Sequence, residues 1–142
     1  MTTVRQMLRH KSLELLAVPP HTSVYDALVL MAEHDVGALV VLDGDDLVGV
    51  FSERDYARNV ILFGRSSRDL RVSDIMTGRV VCVRPDTTVD QCMAMMTARR
   101  IRHLPVLSGS QVVGLVSIGD VVKEMLHEQQ FLIDRLEHYI TT

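Results

Sequence analysis

GVFSERD at residues 49–55 and GLVSIGD at residues 114–120 are one string written twice, 65 positions apart. Working outward at that spacing, Val48 answers to Val113, and Leu39, Val41, Leu42 and Gly44 answer to Leu104, Val106, Leu107 and Gly109. Further upstream, Val18, Pro20, Thr22 and Val24 recur as Val83, Pro85, Thr87 and Val89. The register holds without a gap from Val18 to about Ala57. Before Val18 the spacing becomes 68, with Val4 to Leu8 matching Val72 to Met76, so the first copy carries three extra residues near His10 to Leu16. An internal repeat decides architecture before any local reading does. The chain is two copies of one supersecondary unit.

Each copy reads as strand, helix, strand, strand, helix. In the first, Leu13 to Val18 is a short apolar run ended by Pro19 and Pro20. Ser23 with Asp26 resembles a capping box, and Val24, Ala27, Leu28 and Met31 follow at i, i+3, i+4, i+7, the signature of a one-faced helix. Gly37 closes it; ALVVL and LVGVF, joined by Asp43 to Asp46, read as two paired strands. The helix opened by Ser52 ends before Gly64. In the second copy Thr88 and Gln91 supply the box and Val89, Cys92, Met93 and Met96 the apolar face. This predicts an α/β (α+β) fold of two β-α-β-β-α repeats, residues 1–62 and 72–126, joined by a linker at 63–71 and followed by an amphipathic helix at 127–142. A unit of about 60 residues shields too little apolar surface to stand alone. The copies are therefore expected to pack about a pseudo-twofold axis, with equivalent residues facing each other across shared clefts, a favoured place for small ligands.

The 142 residues are 47% hydrophobic and 23% charged, an ordinary globular composition. A net charge of −3 supplies no general positive field for nucleic acid. No apolar run approaches the roughly 20 residues of a membrane span, and the polar start lacks a secretory segment, so the expected location is the cytoplasm. Cys82 and Cys92 are too few and too isolated for a disulfide framework and read as small buried hydrophobes.

The Gly-x-x-Ser-x-x-Asp string falls where a strand leads into a helix. There the first backbone N–H groups are unpaired and the helix dipole is positive, which suits a phosphate, and the serine hydroxyl adds a donor. An aspartate three residues on offers two oxygens to the hydroxyls of a ribose. The competing reading is that Ser52 with Asp55, and Ser117 with Asp120, are capping boxes and nothing more. Two copies in identical register, each after a glycine, favour the binding reading.

With VRQML and VSDIM, the Pro-x-Thr-x-Val segments, RHLPVL at 102–107 and both Gly-x-x-Ser-x-x-Asp strings in order, the chain resembles a tandem pair of cystathionine-β-synthase (CBS) domains, a Bateman module. The resemblance covers about residues 4–126. It implies a non-catalytic module whose clefts bind adenosine ligands such as AMP, ADP, ATP, NAD or S-adenosylmethionine, with Asp55 and Asp120 on ribose and Ser52 and Ser117 near phosphate. It further implies that each cleft borrows from the other copy: Thr77, Val80, Val81, Arg102, His103, Leu104 and Pro105 at the Asp55 site, and Leu16, Ala17, Val18, Gly37 and Ala38 at the Asp120 site. Val40, where the second copy has Pro105, departs from the family's pattern. Arg54 faces no counterpart but Gly119, so the Asp55 site is expected to take the more phosphorylated ligand or a dinucleotide, and the Asp120 site AMP.

Two alternatives stand beside this reading: an interaction protein with empty clefts, and a small enzyme. The sequence has no Gly-x-Ser-x-Gly elbow, and none of its six histidines stands at metal-ligand spacing with another histidine or cysteine, so neither a catalytic nor a metal site is expected. Met125, Leu126, Gln129, Leu132, Ile133, Leu136 and Ile140 fall at helical spacing near the C-terminus. That stripe is longer than one small module buries, and it predicts a homodimer besides an unidentified downstream partner.

Overall fold

The computed structural model describes residues 2–10 and 15–141. Its elements are α1 (Val4–His10), β1 (Ala17–Val18), α2 (Val24–His34), β2 (Ala38–Asp43), β3 (Asp46–Ser52), α3 (Glu53–Tyr56), α4 (Val72–Ile75), α5 (Val89–Arg99), β4 (His103–Ser108), β5 (Gln111–Ser117) and α6 (Ile118–Thr141). After Tyr56 the helix widens into a π turn over Ala57–Ile61. The first sheet has the order β1-β2-β3, with β1 parallel to β2; the second is the antiparallel pair β4-β5. Leu13 and Glu14, the start of the expected first strand, lie outside the described residues.

The duplication reaches the backbone irregularities. Both hairpins slip register at the same place, between Val41 and Leu42 and between Val106 and Leu107. Both turn on a left-handed glycine, Gly44 at φ 61° and Gly109 at φ 64°. Helices α2 and α5 end on left-handed Asp35 (φ 51°) and Arg100 (φ 55°), 65 residues apart. Ser23 Oγ accepts from Asp26 N, and Thr88 with Gln91 forms a full reciprocal box. The expected faces are buried, Val24, Ala27 and Met31 in α2 and Val89, Cys92 and Met96 in α5, with Leu28 and Met93 half-buried.

The second repeat departs from strand-helix-strand-strand-helix at its first strand. Where β1 runs beside β2, the second copy has the single parallel bridge Val83–Val106. The cause is Pro105. In the first copy Val40 N donates to Leu16 O at 3.3 Å; proline at the matching position has no N–H to give.

The two cores exchange their approach helices. Val4 and Met7 of α1 pack with Val89, Cys92, Met96, Leu104 and Val121 of the second repeat. Val72 and Ile75 of α4 pack with Val24, Leu39, Phe51 and Val60 of the first. Backbone bonds fix the exchange: Val4 N donates to Thr87 O and Val89 N to Thr2 O, while Val72 N donates to Thr22 O and Val24 N to Leu70 O. The segment between the repeats is also tied down, since Tyr25 N donates to Ser67 O at 2.9 Å and the Arg68 guanidinium lies 4.5 Å over the Tyr25 ring.

Helix α6 runs without a break through residue 127. Val121 anchors its first turns in the second core, but every residue from Phe131 to Ile140 is exposed. At 1.5 Å per residue its 24 residues extend ~36 Å. Beyond Met125, which packs on the second core, its apolar stripe is therefore not used to cover its own repeat.

Candidate functional site

Each Gly-x-x-Ser-x-x-Asp string lies across the end of a hairpin and the start of a helix. Ser52 is the N-cap of α3: its Oγ accepts from Asp55 N at 3.2 Å, while Asp55 Oδ2 accepts from Ser52 N at 2.9 Å and from Ser52 Oγ at 3.1 Å. Ser117 and Asp120 repeat the exchange, Ser117 N donating to Asp120 Oδ2 at 2.8 Å and Asp120 N to Ser117 Oγ at 3.1 Å. The capping reading of both pairs is thus realised. It does not exhaust the aspartates, because a carboxylate has about four lone-pair sites.

The glycine of each string has a packing reason. A Cβ on Gly49 would stand 2.6 Å from Met76 Sδ and 3.0 Å from Thr77 O; one on Gly114 would stand 2.9 Å from Leu8 Cδ2. The approach helix of the other copy lies against each glycine. Beside Gly49 the contact becomes a two-way bridge, Val50 N donating to Thr77 O and Thr77 N to Val50 O, both at 3.0 Å. That bridge carries Thr77 to the site, where its Oγ1 donates to Asp55 Oδ1 at 3.2 Å.

Beside Asp55 opens a cavity of about 200 Å³. Of the residues expected at this site, Ser52, Arg54, Asp55, Thr77, Val80, Val81, Arg102 and His103 line it. Leu104 and Pro105 do not: both are buried in the sheet behind it. Val50, Arg58, Arg79, Arg100 and Ile101 also line it. Arg54 Nη1 donates to Arg100 O at 3.4 Å, joining the two repeats across the cavity.

The cavity beside Asp120, about 320 Å³, is lined by Met7, His10, Asp120, Lys123, Glu124 and His127. Ser117 sits one turn back, bonded to Asp120 as above. Leu16, Ala17, Val18, Gly37 and Ala38, expected to complete this cleft, are not among the residues lining that cavity. Val18 and Ala38 are buried, and Val18 belongs to the first core. A Cβ on Gly37 would lie 3.7 Å from His103 Nε2 and 3.9 Å from Glu53 Oε2, which puts Gly37 between the repeats. His10 Nδ1 lies 3.8 Å from Glu124 Oε2, an ion pair when the imidazole is protonated.

Some of the additional residues were within reach of the repeat register. Arg58 and Lys123 stand 65 apart and each follows its aspartate by three, on one helix face. Arg79 and Arg100 carry no such signal, because the chain direction after Thr77 and the left-handed turn at Arg100 bring them in. Among the described residues no group of three or more His, Cys, Asp or Glu is placed to hold a metal ion. Cys92 is buried in the second core and Cys82 half-buried, both free. Burial pushes both thiols above the ordinary range, opposed at Cys82 by Arg84.

The CBS domain family matches residues 4–61 and 72–127, and the chain belongs to it. The mitochondrial CBS domain-containing protein CBSX3 of Arabidopsis thaliana is 46% identical over 123 residues, which are 83% of this chain and 60% of that one. The CBS domain-containing protein YhcV of Bacillus subtilis is 30% identical over 116 residues, 81% of this chain and 82% of that one. A solved CBS-domain protein from Burkholderia ambifaria has a TM-score of 0.86 at 50% identity, covering 90% of this chain and 96% of its own. The chain thus spans 60% of the length of its Arabidopsis relative. CBS-domain proteins of this kind are generally regulatory rather than catalytic.

Proposed function

We propose that the protein is a regulatory module of the cytoplasm that binds an adenosine nucleotide, AMP, ADP, ATP or NAD, between its repeats, catalyses nothing, and signals through contacts with a partner. The observation that carries this reading is the Asp55 junction. A carboxylate and hydroxyl from one repeat, Thr77 beside them, and the apolar wall of Val80 and Val81 from the other repeat line one cavity. Such a wall suits the flat face of a base, and the carboxylate suits vicinal hydroxyls.

A ligand that binds only the folded chain raises its melting temperature by mass action. Thermal scans of ligand-free protein with AMP, ADP, ATP and NAD are expected to show that rise with at least one of them. Because Asp55 and Asp120 also cap helices, the discriminating variant is Asp55→Asn with Asp120→Asn, which keeps the cap acceptors. It is expected to melt near the parent temperature and to lose the ligand shift; no shift in the parent overturns the reading.

The module acts as a homodimer joined through α6. What supports this is the exposed stripe of Leu132, Ile133, Leu136 and Ile140, which its own repeat leaves uncovered, and twofold pairing is the commonest way to cover such a face. Light scattering is expected to give twice the 15.9 kDa chain mass, falling to the monomer when residues 128–142 are removed.

A further inference from the structure

We infer that the cleft beside Asp55 takes a ligand carrying at least three linked phosphate groups, a nucleoside triphosphate rather than a monophosphate, and that the cleft beside Asp120 does not. This rests on the nucleotide reading above and narrows it.

Five arginines, Arg54, Arg58, Arg79, Arg100 and Arg102, are among the residues lining the one cavity, and among the described residues Asp55 is the only acidic one that does. They arrive on three separate segments of a chain whose net charge is −3, so the cluster is not the average surface continued inward. Among the described residues no carboxylate lies within ion-pair distance of any of the five. Asp55 is itself engaged by Ser52 and Thr77. Like charges around one cavity repel, and the repulsion is relieved when an anion of matching charge enters.

The amount of charge selects the ligand. One phosphate monoester carries about −2 near neutral pH, which leaves most of the excess uncompensated; three linked phosphates bring ~−4. Guanidiniums also meet phosphate oxygens in a two-pronged geometry that an ammonium lacks, so five of them suit a chain of phosphates rather than a single one.

The other repeat is the internal control. At the positions matching Arg54, Arg100 and Arg102 stand Gly119, Asp35 and Gly37; of the helix cations only Lys123 persists, opposite Arg58. Its cavity brings a second carboxylate, Glu124, and two histidines.

The experiment titrates the ligand-free full chain calorimetrically with adenosine, AMP, ATP and inorganic tripolyphosphate, and repeats the series on Arg58→Gln with Arg79→Gln. Both side chains are exposed, and an unchanged melting temperature confirms that the variant folds. ATP is expected to bind about tenfold or more tighter than AMP, through charge-assisted contacts, with tripolyphosphate competing. That advantage is expected to vanish in about 1 M salt, where screening reaches ~3 Å, and in the variant. Equal affinities for AMP and ATP overturn this inference and leave the nucleotide reading standing, as does an ATP preference that survives in the variant. Tripolyphosphate binding as tightly as ATP, with no binding of adenosine or AMP, upholds the polyanion cleft and overturns the nucleotide reading. No binding of any of the four overturns this inference.

Discussion

In the first repeat Val40 sends its N–H to Leu16 O; in the second, Pro105 has none to send, and a strand shrinks to one bridge. Yet the hairpins beyond slip at the same residue, turn on the same glycine, and follow helices that end in the same left-handed conformation. Asp35 and Arg100 share that conformation while carrying opposite charge. The backbone of a repeat is held by many cooperating bonds and buried contacts, so losing one of them shortens an element without moving the frame. Side chains at the mouth of a cleft obey no such constraint. The repeats therefore agree in geometry and disagree in charge.

The sharpest way to break that agreement is through the cores. Leu39 and Leu104 are equivalent and both 0% exposed, so Leu39→Ala and Leu104→Ala are each expected to lower stability by about 2–5 kcal/mol. Urea unfolding checks this, and the two losses should match within about 1 kcal/mol. A large inequality would show that one core dominates.

The glycines should separate what the leucines leave equal. At Gly49 an added methyl meets the Thr77 backbone oxygen as well as Met76, whereas at Gly114 its nearest neighbours are all atoms of the flexible Leu8 side chain. Gly49→Ala is expected to destabilise by about 1–3 kcal/mol, as overpacking does, and Gly114→Ala by less. Comparing their melting temperatures tests the difference. Because Gly49→Ala also displaces the Thr77 bridge, it should weaken any ligand at the Asp55 cleft more than Gly114→Ala does.

The smallest expected effect concerns a tie that one repeat has and the other lacks. Thr2 N donates to Glu128 Oε1 at 2.9 Å; 65 residues earlier stands Phe63, which offers no acceptor. Hydrogen bonding from Thr2 holds the Glu128 carboxyl below its ordinary range, against a smaller opposing effect of burial. A carboxyl with a lowered folded pKa contributes stability above its unfolded pKa and loses it as pH falls through the folded one. Glu128→Gln is therefore expected to lower the melting temperature slightly near pH 7 and not at all near pH 3. A difference that persists in acid would mean that the side chain acts through packing.

Much of this was legible in the sequence because duplication amplifies weak signals. Ser52 with Asp55 alone describes a helix cap; its recurrence at Ser117 and Asp120 after a glycine marks a shared cleft. The residues in register, down to the half-buried Leu28 and Met93, fell where periodicity put them. What escaped depends on contacts distant in the chain. Pro105 reads as a variation in a string until its missing N–H is matched to Val40 and Leu16. Arg79 and Arg100 reach the cavity through a backbone bridge and a left-handed turn, which leave no period behind. The pairing of α1 with the second core is invisible for the same reason, since Val4 looks like the start of its own repeat.

That pairing sets an order on the birth of the molecule. A chain emerges from the ribosome N-terminus first, and among the described residues α1 comes out before every other element, yet its packing partners run from Val83 to Val121. The first repeat closes much earlier, when α4 delivers Val72 and Ile75. For the time it takes to make about 110 further residues, Val4 and Met7 have no core to enter, at a rate of ~5–20 residues per second. In a nascent chain halted just after α4, every residue of the first core has been made while Val4 and Met7 still lack nearly all of theirs.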